Sequence, residues 1–261
     1  MQFRRDDLTR AVSSLPFLLS TITLYIVLMA FAMYKGRIYG VLGSGTLNIF
    51  IQTIIENNDL PLFFVVLCVI PGTASLCDDF TSGIIRAYII RMPIKKYLSA
   101  KIASAFLVAF FSFLLAFLVF FISLYIMFPQ PSIRTGQMVG DVRYVYYRSL
   151  LLFCLLYIIQ MSVTGGIVSL FGSACALFTE KRLYGVVAPI AIYFVLMFFG
   201  RLFFIEDLMR LVYKMLPVSW FSFTNVSFYT PIYNYVVLVS ISLILIYIKI
   251  NKWRCTTIKP I

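Results

Sequence analysis

The chain contains no histidine among its 261 residues. That removes Ser-His-Asp triads, histidine metal sites and histidine proton relays together. Acidic residues are scarce too, with ten Asp and Glu against 22 Lys and Arg. No glycine is followed by lysine, so the phosphate-binding pattern G-x-x-x-x-G-K-[ST] is absent. The five cysteines lack metal-ligand spacing. Cys68, Cys77, Cys154 and Cys175 fall in or beside apolar stretches, and Cys255 lies in the tail. That distribution predicts small buried thiols. Charge is the largest shortage of all. Charged residues make up 12% of the chain, against about 25% in ordinary soluble domains.

What fills the gap is apolar. Hydrophobic residues are 62% of the sequence, more than a soluble fold of this size can cover. Stretches 11–34, 60–77, 102–133, 149–179, 183–200 and 215–248 contain no Asp, Glu, Lys or Arg. A hydrocarbon core of about 30 Å needs about 20 helical residues, and each stretch is near that length or longer. The pattern predicts an all-α integral membrane protein, one domain over 1–261, with spans at about 15–34, 60–77, 102–128, 149–178, 184–200 and 232–248. Pro129 and Pro131 end the third span. Pro189 lies inside the fifth, where a bilayer helix tolerates a kink. Pro71-Gly72 and Gly165-Gly166 mark expected bends in the second and fourth. Ala30-Phe31-Ala32 resembles a signal-peptide cleavage site, but the apolar run before it is long and Asp6 and Asp7 precede it. A retained first span is therefore expected.

Lys and Arg set the orientation, because cytoplasmic loops retain them. With the N-terminus inside, 14 of the 22 fall on the cytoplasmic side and 8 outside. Segment 38–55 is also free of charge, but Gly40, Gly43, Ser44, Gly45, Asn48 and Gln52 interrupt it. Counting it as a seventh span would flip every later loop and leave 9 inside and 13 outside. Six spans with both termini cytoplasmic fit better, and 38–55 reads as an outer segment on or dipping into the membrane. The net charge of +12 follows from this flanking, and no nucleic-acid partner is expected.

The spans as drawn hold no charge, so no proton-coupling residue is visible in them. The most informative segment is the loop between spans two and three, 78–101. Thr81 or Ser82 is placed to cap a short helix. Ile84, Ile85, Tyr88 and Ile89 then share one face at helical spacing. Pro93 stops that helix and starts the next, and Lys95, Lys96 and Lys101 suit lipid headgroups. Such a helix offers a soluble partner a handle to seat in a groove. The same face equally suits an interfacial helix that only anchors the loop.

Here the sequence resembles a known family. Asp78-Asp79, then Ser82-Gly83-Ile84-Ile85, then Arg91-Met92-Pro93-Ile94, then Tyr97-Leu98 and Lys101 opening a span, is similar to the ABC type-2 transport permeases. Members usually carry Gly-Thr where this chain has Ser82-Gly83, and Ser-Arg where it has Lys95-Lys96. Length, span number and loop position agree along the whole chain. The resemblance implies that 78–93 is a coupling helix receiving the stroke of a separate ATP-binding subunit. Asp78, Asp79, Ser82, Gly83, Ile84, Ile85, Arg86, Tyr88 and Arg91 would then lie at or near that partner. It also implies an N-terminal interfacial helix over 1–14, and an outer re-entrant segment over 201–231 whose Pro217, Trp220, Phe221 and Phe223 would form an outer gate. Generic interfacial helices and aromatic anchors explain the same two patterns.

The function implied is a permease subunit of an ATP-driven exporter in a bacterial cell membrane, paired with a second permease chain, a homodimer being favoured. ATP and magnesium would sit in the partner ATPase, and this chain would carry no catalytic, cofactor or metal site of its own. Spans lined by Phe, Met, Tyr, Ser and Thr suit an amphipathic or apolar cargo. The resemblance extends to small permeases for amphipathic toxins, such as phenol-soluble modulins, and for lantibiotics. The alternative is a membrane immunity or sensor protein that binds a partner and transports nothing. An intramembrane enzyme is disfavoured, because the spans offer no paired acids and no histidine.

Overall fold

A computed structural model describes residues 12, 14–38, 45–54, 60–82, 93–128, 149–179, 181–202 and 229–257. Every regular element among them is a helix: α1 Leu15–Ile38, α2 Thr46–Ile54, α3 Leu60–Thr81, α4 Ile94–Met127, α5 Leu150–Thr179, α6 Arg182–Leu202 and α7 Tyr229–Thr257. Each predicted span falls on one of these helices. Three contain segments long and apolar enough to cross a membrane, Leu15–Tyr34, Lys96–Met127 and Leu151–Thr179. Shorter apolar segments, Phe63–Gly72, Leu183–Ile192 and Tyr235–Asn251, lie in α3, α6 and α7.

The burial pattern is that of a protein made for an apolar solvent. On α1, Leu15, Leu18, Ile22 and Ile26 point outward, while Leu24, Leu28 and Ala32 enter the core. On α4, Leu115, Val119, Ile122 and Ile126 are exposed, while Phe113, Phe117 and Phe120 are fully buried. A soluble helix would carry charge on its outer face. Buried hydroxyls turn back onto their own helices: Ser162 donates to the Ile158 carbonyl, Thr164 to Gln160 and Ser242 to Leu238. No water reaches such groups in a bilayer, so the backbone satisfies them. Cys68 and Cys154 are buried free thiols and Cys175 is half-buried, as expected from their positions.

Contacts between helices fix their directions. Ser20 and Thr21 meet Ser112, and further along Tyr25 meets Ser123, so α1 and α4 are parallel. Phe64 packs on Phe113 and Phe117, while Asp79 meets Tyr97 and Lys101, so α3 and α4 are antiparallel. Thr164 bonds Tyr235 and the Phe178 carbonyl accepts from Lys249, so α5 and α7 are parallel. Gly165 faces Phe113 while Ser169 reaches the Ala105 carbonyl, so α5 runs against α4. Only residues 180 and 181 separate α5 from α6, and α6 packs back on α5 and α3. The start of α1, end of α3, start of α4, end of α5, start of α6 and end of α7 therefore gather at one end of the bundle.

The opposite end carries α2. Its nine residues extend about 13 Å, less than half a hydrocarbon core of about 30 Å, so α2 cannot cross by itself. Phe50 packs between Phe120 and Phe121 of α4, and Thr46 donates to the Phe128 carbonyl at the end of that helix. Among the described residues, Thr53 on α2 has a fully buried hydroxyl with no hydrogen-bond partner. An unpaired buried hydroxyl costs about 1–3 kcal/mol. Thr53→Val keeps the shape and removes that group. Thermal unfolding in detergent is expected to occur at an equal or higher temperature than in the wild type, and a clear drop would mean that the hydroxyl is paired.

One expected boundary changes. Helix α3 continues through Asp78 and Asp79 to Thr81, four residues past the predicted end of the span, and Ser82 is in the turn that follows; the short helix that Thr81 or Ser82 was expected to cap lies outside the described residues. The Pro71-Gly72 and Gly165-Gly166 pairs do not interrupt their helices. Their glycines lie where helices touch.

Candidate functional site

The site begins at the gathered end of the bundle, where α3 finishes and α4 starts. Pro93 sits immediately before α4, in keeping with the preference of proline for helix starts. The helix therefore begins eight residues before the predicted span at 102. That extension carries Lys96, Tyr97 and Lys101 on helical backbone. Tyr97 and Lys101 are one turn apart and face the same way. Opposite them stands Asp79 of α3. Its Oδ2 accepts from Lys101 Nζ at 3.0 Å and also from the Tyr97 hydroxyl.

Both charges are withdrawn from solvent, the side chains keeping 6% (Lys101) and 16% (Asp79) of their exposure. Tyr97 is fully buried. Lys101 thus does not reach for headgroups, contrary to the expectation from its position. Burial of a lysine is tolerated because a carboxylate faces it, and the shared oxygen satisfies a tyrosine as well. Lys96 is exposed and remains suited to headgroups.

Two turns back along α3 lies a crossing of three helices. Gly72 of α3 faces Ala105 of α4 and Ser169 of α5; a Cβ built on Gly72 would stand 2.0 Å from Ser169 Oγ and 2.9 Å from the Ala105 carbonyl oxygen. Ser173 donates to the Gly72 carbonyl at 3.0 Å and Ser169 to the Ala105 carbonyl at 3.4 Å. Small residues let backbones approach this closely, which is how helices associate when lipid removes the hydrophobic drive. Gly166 makes the next close approach along α5, against Phe106.

A second polar group joins α5 and α7. Thr164 and the Tyr235 hydroxyl are 2.6 Å apart, and Gln160 also bonds Tyr235. At the gathered end, Lys249 caps α5 by donating to the Phe178 carbonyl at 3.2 Å, and the Lys181 ammonium lies 5.9 Å from the centre of the Tyr184 ring. A cation at a helix C-terminus complements the carbonyls left without donors.

Of the residues expected at an ATPase contact, Asp78 is in α3, Asp79 is engaged by Tyr97 and Lys101, and Ser82 is exposed. Gly83, Ile84, Ile85, Arg86, Tyr88 and Arg91 lie outside the described residues. So do Pro217, Trp220, Phe221 and Phe223 of the expected outer gate, and nearly all of the expected interfacial helix at 1–14. Lys101 and Tyr97 were missed as partners of Asp79. The available signal was a lysine eight residues after Pro93, two turns inside a helix that the charge-free stretch cuts short. Among the described residues no three His, Cys, Asp or Glu gather as a metal site would require. Comparison with protein-family models, curated proteins and solved structures found no match to this chain.

Proposed function

We propose that the chain is the membrane subunit of an ATP-driven exporter resembling the ABC type-2 permeases, with six spans and both termini in the bacterial cytoplasm. One observation carries this reading. The connection between α3 and α4 leaves the bundle at the end where Lys96, Lys181 and Lys249 collect, the signature of a cytoplasmic face. Its two roots are joined there by Asp79 and Lys101. This supports a coupling segment that faces the side where ATP is found.

In this reading a second copy of the chain and two ATP-binding subunits complete the machine. ATP with magnesium closes the ATPases, the 78–93 segments receive the stroke, and the two permeases alternate access at their interface. The cargo is amphipathic or apolar, a peptide in the first place. Residues 1–14 lie along the inner membrane surface and 201–231 fold back over the exit.

The test is ATP turnover by the purified chain with its ATPase in lipid nanodiscs. Amphipathic peptides are expected to stimulate turnover severalfold, in keeping with coupling energies of about 1–3 kcal/mol. Partner binding without stimulation by any peptide or drug tested favours the immunity or sensor alternative.

A further inference from the structure

The exporter reading names a receiving segment but not what carries its motion into the bundle. Three features lie on facing stripes of α3 and α4. On α3, Gly72 and Asp79 are seven residues apart, two turns or about 10 Å along one face. On α4, Tyr97, Lys101 and Ala105 follow each other at intervals of four, again along one face. The antiparallel register matches them, Asp79 to Tyr97 and Lys101, and Gly72 to Ala105.

The two meeting points differ in kind. At Gly72 the contact is backbone on backbone, with Ser169 and Ser173 of α5 bonding to both helices. Pro71 precedes it and has no N–H to give the carbonyl of Leu67, so α3 loses a backbone hydrogen bond at this crossing. A helix bends where its ladder is broken. At Asp79 the contact is a buried ion pair with a tyrosine hydroxyl added. A pair of this kind contributes little net stability over apolar residues of similar volume. What it does supply is a fixed partner and direction, because either charge left alone in the bundle is strongly unfavourable.

We infer that Asp79, Tyr97 and Lys101 weld the end of α3 to the start of α4, so that these ends move as one lever about Pro71-Gly72. The fulcrum is the Gly72–Ala105–Ser169 crossing, and the load end is the pair of roots from which 83–92 emerges. The weld is a property of this chain alone, and its use in coupling rests on the exporter reading. Asp79 and Lys101 are positioning residues in this scheme and touch no cargo.

The experiment places spin labels at Ser82 and Ser99, both exposed, in the purified chain with its accessible native cysteines replaced, and measures their separation by pulsed electron resonance. A single narrow distance is expected. Asp79→Asn and Lys101→Met each broaden or split it, Tyr97→Phe broadens it less, and the exchange Asp79→Lys with Lys101→Asp narrows it again. An unchanged distribution in Asp79→Asn overturns the weld, and if that variant does not fold, Tyr97→Phe and the exchange decide instead.

A second arm uses the assembled complex. The apolar pair Asp79→Leu with Lys101→Met, made together with Tyr97→Phe so that the hydroxyl bonded to Asp79 is removed as well, is expected to fold, since buried ion pairs are replaceable by apolar groups. Its cargo-stimulated ATP turnover is expected to fall about tenfold, within the usual range of coupling between sites, while the exchange variant retains it. Full turnover in the apolar pair overturns the lever. If the wild-type chain binds no ATPase, the exporter reading fails, and the distance measurement still decides the weld.

Discussion

Gly72→Leu is expected to unfold the bundle about 6–20 °C below the wild type, where unfolding is followed by heat in detergent. Even a methyl group at this position meets Ser169 Oγ at 2.0 Å and the Ala105 carbonyl at 2.9 Å. The serine can rotate, but the carbonyl belongs to the backbone of α4 and cannot move without the helix. A leucine therefore forces α3 away from α4 and α5. Overpacking of this kind costs about 1–3 kcal/mol. The separation also breaks the hydrogen bonds from Ser173 to the Gly72 carbonyl and from Ser169 to the Ala105 carbonyl, each worth about 1 kcal/mol. Together these reach about 3–5 kcal/mol, and each kcal/mol shifts the midpoint by about 2–4 °C in a chain of this length.

Gly165→Ala is the control. The nearest atoms to its new methyl would be those of the Phe113 ring, at 3.0–3.3 Å, and a ring yields by a small rotation. It is expected to stay within a few degrees of the wild type. If Gly72→Leu unfolds no lower than Gly165→Ala, the three-helix crossing is not where the structure puts it.

The helices were legible because lipid imposes a simple rule, that charge stays out of the hydrocarbon. The same rule misled at the edges. It ended the second span at Cys77 and began the third at Ile102, so it placed both members of the Asp79–Lys101 pair in a loop. Helix α3 in fact runs to Thr81 and α4 starts at Ile94, because backbone hydrogen bonds continue past a charge that finds a partner. The partner lies 22 residues away in sequence, and no local pattern announces it. Glycine carried a second role that a single helix does not show. At Gly72 and Gly165-Gly166 the residue was taken to let its own helix bend; it also makes room for the neighbouring helix. Segment 38–55 was read as too interrupted to cross, and its described Thr46–Ile54 part is a short helix against the end of α4. The Thr164–Tyr235 contact joins residues 71 apart, and only the parallel packing of α5 and α7 brings it about.

We expect a separate ATPase to dock on the connection between α3 and α4, from the cytoplasmic side in the proposed exporter. Gly83→Glu with Arg86→Glu is expected to abolish that docking while leaving the bundle intact. The double change places two carboxylates on a short segment and removes a cation, and like charge across a small contact costs several kcal/mol. Loss of about 4 kcal/mol weakens binding about a thousandfold. Unfolding in detergent is expected to match the wild type, so that lost binding reports on the contact and not on the fold. The direct measurement is the binding of purified ATPase to membrane vesicles carrying the wild-type chain or the double variant, in inside-out and right-side-out preparations. Binding is expected to inside-out vesicles of the wild type alone. Equal binding by the double variant, or binding from the outer face, contradicts this expectation.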